Sequence, residues 1–195
     1  MKLYNGPTSP FGRKVSVLYR ELGLPVNEIT IDVYSSEFLD AINPLRQIPT
    51  LELDDGTPIY DSTVIGLYLV GLSERADVLP EDQRWDVLTF CAMCDGLMEA
   101  VLQRRMETLR PDGEKSPSTI AKLETRAGRT VSNLAAQLHR IEGNGLRLDR
   151  IAAVCALEYV SFRLSDEWRT LHPSLAAWCE AYGRHPGFVA TRPKP

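Results

Sequence analysis

Thr8-Ser9-Pro10-Phe11-Gly12-Arg13-Lys14-Val15 follows a short strand, Lys2-Leu3-Tyr4, and leads directly into a helix. Ser9 precedes a proline, which favours an extended backbone for it. Pro10 suits the first helical turn, where its missing N–H costs nothing. The helix runs from about Pro10 to Leu22 with Val15, Leu18 and Leu22 on one face, until Gly23-Leu24-Pro25 stops it. Glu28 to Val33 alternates polar and apolar residues, with Ile29, Ile31 and Val33 on one side, and reads as a strand. Phe38 to Ile42 suggests a short helix ending at Asn43-Pro44. Thr50 to Leu53 and Pro58 to Tyr60 read as strands joined by the turn Asp54-Asp55-Gly56. A further helix starts near Ser62 and carries Val64, Ile65, Tyr68, Leu69 and Leu72. The order is β-α-β-α-β-β-α. Its first part needs a parallel crossover and its last strands form a hairpin, so the sheet is mixed and covered by helices.

Everything beyond this unit reads as helix. Asp77 to Asp82, with Pro80 inside it, is expected to be a linker. Trp85 to Leu109 and Ser116 to Ile141 read as two long helices, separated by Arg110-Pro111-Asp112-Gly113. The second carries Ile120, Leu123, Ala127, Val131, Leu134, Leu138 and Ile141 at spacings of three or four. Asp149 to Leu164 is so apolar that it belongs at the centre of the helical part. Ser174 to Arg184 forms a last helix, closed by Pro186. The fold class is α/β plus all-α, with domains expected at 1–76 and 83–195 and a linker at 77–82.

The 195 residues are 44% hydrophobic and 25% charged, with a net charge of −4, so no basic excess points to nucleic acid or an anionic membrane. No apolar run is long enough to span a bilayer, and Met1-Lys2-Leu3-Tyr4 shows no signal-peptide h-region. A cytoplasmic location is expected. Cys91, Cys94, Cys155 and Cys179 all fall in helical segments and are expected to be reduced and buried. Cys91-Ala92-Met93-Cys94 has redox-motif spacing but lies mid-helix, away from the helix N-terminus that would lower a thiol pKa. His139, His172 and His185 are isolated, and no metal site is expected.

Three marks carry chemistry. Ser9 is a candidate N-cap, and its hydroxyl can equally serve a guest at the helix head. A free thiol is only about 3% ionised at pH 7. Lowering its pKa by about two units needs roughly 2.7 kcal/mol of preferential thiolate stabilisation. A charge-assisted hydrogen bond supplies about 1.5–3 kcal/mol and the helix dipole about 0.3–1. Gln47-Ile48-Pro49 precedes a strand; Pro49 either marks an edge strand or makes a cis turn that presents the Ile48 backbone to a ligand. Asp61-Ser62 heads a helix, as ordinary capping or as a cradle in which N–H groups and the Ser62 hydroxyl hold a carboxylate and Asp61 receives an ammonium.

Ser9-Pro10-Phe11-Gly12-Arg13-Lys14, Asn43-Pro44 with Gln47-Ile48-Pro49-Thr50-Leu51, and Asp61-Ser62 resemble the cytosolic glutathione S-transferases, bacterial serine-type members above all. The helical second half fits as well. The resemblance implies a thioredoxin-like domain that binds glutathione as co-substrate, with Ser9 activating its sulfur and a cis bond before Pro49. It implies that the Ile48 backbone pairs with the cysteinyl unit and that Asp61 and Ser62 hold the γ-glutamyl end. Gln47 is assigned to the glycyl end or the γ-glutamyl carboxylate, and Arg13 to structure. A homodimer is also implied. Relatives often open the central helix of the second domain with a capping box; here Arg147-Leu148-Asp149-Arg150 stands instead, with Asp149 the candidate cap.

The second substrate, a small electrophile or peroxide, is expected between the domains, against Phe11, Leu97, Met98, Val101, Leu102 and Arg105. These residues can equally be core or a subunit interface. Arg104-Arg105 can meet an acidic co-substrate or form surface salt bridges. The leading alternative to a transferase is a non-catalytic binding or regulatory protein of the same fold. A disulfide oxidoreductase ranks last, because it wants cysteine at position 9.

Overall fold

A computed structural model describes residues 1–193. Four strands, β1 (Lys2–Asn5), β2 (Asn27–Thr30), β3 (Thr50–Glu52) and β4 (Pro58–Tyr60), form one sheet in the order β2-β1-β3-β4. β1 and β2 are parallel, joined over helix α1 (Pro10–Glu21). β3 is antiparallel to both β1 and β4. Helix α2 (Ser62–Gly71) follows β4. This is the mixed-sheet, thioredoxin-like unit expected from the sequence. The connection between β2 and β3 carries a 3-10 turn, Glu37–Ala41, where a short helix was expected.

β2 is shorter than the alternation of Ile29, Ile31 and Val33 suggests. Ile31 N–H still bonds Asn5 C=O at 2.8 Å. Asp32 then captures the chain: its carboxylate accepts from Tyr34 N–H at 3.1 Å and Ser35 Oγ at 3.0 Å. An Asx turn competes with the ladder and wins there.

The rest is helical: α3 (Arg84–Thr108), α4 (Pro117–Ala136), α5 (Leu148–Arg163), α6 (Glu167–Leu171), α7 (Pro173–Tyr182) and α8 (Pro186–Ala190). The expected helix to Ile141 ends at Ala136, and a 3-10 turn, Leu138–Arg140, completes the segment. Pro186 does not close a helix but opens α8, at the first-turn position a proline tolerates. α6 escaped notice because five residues leave too little periodicity to read. The segment around residues 77–82 holds two 3-10 turns, Ala76–Val78 and Glu81–Gln83, with Val78 and Leu79 buried in the core.

α5 is the hub. Ile151 through Leu157 are enclosed on all sides, and α3, α4, α1 and α7 pack around them. Its start corrects the expectation for Asp149. The N-cap is Arg147, which makes no side-chain cap. Asp149 lies inside the helix, 2% exposed, accepting from Arg150 N–H at 2.8 Å and from Arg147 Nε and Nη2, both at 2.8 Å. Arg150 in turn donates to the carbonyls of Ile141, Glu142 and Gly145. Ion pairing and a guanidinium clamp replace the cap.

Candidate functional site

Tyr4, Thr50 and Tyr60 lie side by side across β1, β3 and β4. From that row β1 exits toward Gly6–Ser9, β3 is entered from Ile48-Pro49, and β4 exits toward Asp61-Ser62. The strand directions therefore bring all three loops to one end of the sheet. Gly6 allows two of them to touch: a β-carbon there would stand 2.7 Å from Ile48 Cδ1.

Ser9 is extended (φ −73°, ψ 118°) and caps α1, its Oγ accepting from Gly12 N–H at 3.1 Å. That bond uses a lone pair. The hydroxyl proton has no acceptor among the described residues, so it is available to a guest at the helix head. Gly12 makes the first turn possible, because a β-carbon there would overlap Asn5 Oδ1 at 1.6 Å. Asn5 is buried and donates to Ser16 Oγ at 3.1 Å and Glu28 at 2.8 Å. Ser16, Tyr19 and Arg20 also donate to Glu28. Burial alone would raise the Glu28 pKa, but the bonds from Ser16, Asn5, Arg20 and Tyr19 outweigh it and hold the carboxyl below its usual range. Burial and the Glu28 carboxylate push the Tyr19 phenol up to about 12. This network fixes α1 on β1 and β2, directly behind Ser9.

The Ile48-Pro49 peptide bond is cis. Asn43 holds the loop, donating to Gln47 C=O and Thr50 Oγ1, both at 3.0 Å, while Thr50 Oγ1 donates to the same carbonyl at 2.8 Å. The Ile48 N–H and C=O have no partner among the described residues, so a strand-like ligand can pair with them. The Gln47 side chain is exposed.

Asp61 adopts φ 70°, in the region that favours glycine. Its Oδ1 accepts from Thr63 N–H at 2.8 Å and Val64 N–H at 3.1 Å, capping α2. Two of the N–H groups expected to hold a carboxylate are thus already used. Ser62 N–H and the Ser62 hydroxyl remain, together with the second Asp61 oxygen. The site accordingly offers a donor pair and an acceptor next to each other.

Residues 3–76 fit the glutathione S-transferase N-terminal domain. A glutathione transferase family member from Pseudomonas fluorescens Pf-5 with bound glutathione is 33% identical, covering 100% of this chain and 99% of that one, with a TM-score of 0.88. The chain belongs to the glutathione S-transferase family. A glutathione S-transferase from Methylobacillus flagellatus KT with GSH bound is 30% identical over 99% of both chains, with a TM-score of 0.93. An uncharacterized GST-like protein, YibF of Escherichia coli K12, is 29% identical, covering 99% of this chain and 98% of its own.

Within this glutathione S-transferase fold the expected second-substrate wall divides. Met98 and Val101, like Leu97, are fully enclosed, so they present no surface to a cleft. They belong to the core that forms where α3 packs on α4 and α5, which is what an apolar helix face does when other helices cover it. Phe11, Leu102 and Arg105 keep some exposure. Arg104 pairs with Glu124 at 2.9 Å and faces away to α4.

Two contacts that position the site had no signal in the sequence, because their partners lie far along the chain. Lys14 on α1 reaches Asp95 on α3 at 2.6 and 2.8 Å and Thr63 on α2 at 3.3 Å. Thr63 Oγ1 also donates to Asp95 at 2.9 Å. Arg13 is buried, paired with Glu158 on α5 and bonded to Phe188 C=O. It turns away from Ser9 and ties α1 to the helical part. Burial pushes the Cys91 thiol up to about 12 and Cys94 well above its ordinary value, which makes both poor nucleophiles. Among the described residues no cluster of His, Cys, Asp and Glu could hold a metal, and no helix is long and apolar enough to cross a membrane.

Proposed function

We propose that this chain is a serine-type glutathione transferase, activating the glutathione thiol for attack on a small electrophile or peroxide. The observation that carries the reading is the meeting of three loops at one sheet end: a spare hydroxyl proton at the head of α1, an unpaired Ile48 backbone, and a donor–acceptor pair at the head of α2. Ser9 donates to the sulfur and, with the positive end of α1 behind it, favours the thiolate. Ile48 N–H and C=O pair with the cysteinyl unit, beside Pro49. The γ-glutamyl carboxylate rests on Ser62, its ammonium on the free Asp61 oxygen. Gln47 reaches the glycyl end or the γ-glutamyl carboxylate.

The relatives support this assignment. The Pseudomonas fluorescens protein carries glutathione, and in a second structure S-(propanoic acid)-glutathione. The Methylobacillus flagellatus protein carries GSH. The sheet unit 1–76 would bind glutathione and the helical unit 83–195 would supply the second substrate's wall, with 77–82 between them. We assign the protein to the cytoplasm, as a homodimer.

Conjugation of glutathione to 1-chloro-2,4-dinitrobenzene, followed by absorbance, tests the reading. Turnover above the uncatalysed rate is expected, falling about 100-fold in Ser9→Ala, the typical loss when one positioned donor is removed. Tight glutathione binding without turnover on this or a peroxide substrate would favour the non-catalytic alternative.

A further inference from the structure

Two pairs of contacts set the registers of α3 and α5 against α1. Lys14 meets Asp95, while Leu18 lines one small cavity with Leu88 and Cys91, so α3 runs antiparallel to α1. Arg13 meets Glu158, while Leu18 and Leu148 both approach Gly66, so α5 is antiparallel to α1 as well. At a rise of about 1.5 Å per residue, Ser9 lies about 6–8 Å beyond these contacts along α1. On the same ruler Arg163 lies about 8 Å beyond Glu158, and Leu102 and Arg105 about 10 and 15 Å beyond Asp95. The C-terminal ends of α3 and α5 therefore flank the head of α1.

Those ends carry two unusual cations. Arg105 and Arg163 are half-buried, and among the described residues neither has a carboxylate within ion-pair distance. Their neighbours do: Arg104 pairs with Glu124, and Arg110 with Glu107 and Glu114. The Arg163 guanidinium lies over the Phe162 ring, 4.0 Å from its centroid, and its Nε is buried without a partner. Tyr159, one turn before Arg163 on α5, is 4% exposed. Burial raises its pKa, while Arg163, through its charge and a side-chain hydrogen bond, and Arg105, through its charge, act in the opposite sense. A half-buried guanidinium without a carboxylate partner leaves N–H donors and a positive charge for an anion from solution to meet.

We propose that the second substrate is an electrophile bearing a carboxylate, and that Arg105 and Arg163 are the specificity-determining residues that bind it. The inference rests on the transferase reading above and names the substrate class of its second site. With 4-chloro-3-nitrobenzoate as the example, the glutathione sulfur attacks the ring carbon that carries chlorine. The C–S bond forms, the C–Cl bond breaks, chloride leaves with the bonding pair, and the thiol proton passes to solvent.

Calorimetry with two ready-made conjugates, S-(4-carboxy-2-nitrophenyl)glutathione and its carboxamide counterpart, reads the preference without requiring turnover, with glutathione alone titrated alongside. The wild type is expected to bind the carboxylate conjugate about tenfold more tightly than the carboxamide. The ratio should fall toward one in Arg105→Gln and in Arg163→Gln. Arg163 packs on Phe162; should its variant not fold, Arg105→Gln, whose side chain reaches solvent, decides the matter. Equal affinities in a wild type that binds glutathione, or a ratio that survives Arg105→Gln, overturns the inference and leaves the transferase reading in place. Failure to bind glutathione itself overturns that reading and this inference together.

Discussion

Asp61 holds a backbone conformation that favours glycine, and in it one carboxylate oxygen caps the following helix. Oδ1 caps α2 through Thr63 and Val64, while Oδ2 has no partner among the described residues and, in the proposed reading, receives the ammonium. The two roles separate in Asp61→Asn, since asparagine tolerates positive φ and is as good a cap but carries no charge. That variant is expected to melt within a few degrees of wild type while losing about tenfold in glutathione affinity by calorimetry. Equal affinity would remove Asp61 from ammonium recognition. Ser9 divides its atoms in the same way, a lone pair to Gly12 N–H and a proton outward. The cap reading and the functional reading of these two residues are thus compatible, which the sequence alone left open.

Between elements, buried charge does the joining. Glu28 ties β2 to β1 and α1 through Asn5, Ser16, Tyr19 and Arg20. Its pKa is depressed in the folded chain, so its contribution is present above the unfolded value of about 4.3 and is lost as pH falls through the folded value. Glu28→Gln should therefore lower the melting temperature at pH 7, and the gap from wild type should shrink as pH drops toward 3. A gap that stays constant would contradict this. The Lys14–Asp95 pair joins α1 to α3 with the side chains 8% and 22% exposed. Asp95→Asn strands the lysine and should cost about 2–3 kcal/mol by denaturant titration. Lys14→Met with Asp95→Leu should recover much of that loss, because the charge is removed with its partner. A double variant no better than the single one would show that the pair is not acting through buried charge.

Across the whole molecule, what was legible followed from local rules. Pro10 and Gly23 bounded α1, Asp54-Asp55-Gly56 located the hairpin, and apolar spacing found the long helices. Ser9, Ile48-Pro49 and Asp61-Ser62 announced themselves as cap, proline turn and cap. What stayed hidden depends on partners distant in the chain: the full burial of Met98 and Val101 in the core, the pairing of Arg13 with Glu158 and of Lys14 with Asp95, and the replacement of a cap by Arg147 and Asp149. Periodicity says that a helix has an apolar face but not what covers it. The sheet register then converts three separate local signals into one place, with the thiol of a bound tripeptide expected at the head of α1. The ultraviolet absorbance of the thiolate of enzyme-bound glutathione, titrated from pH 5 to 10 in wild type and Ser9→Ala, measures that directly. A pKa about two units below the free thiol value of about 8.5 in wild type, rising toward it in the variant, is predicted; the same pKa in both proteins would contradict the account.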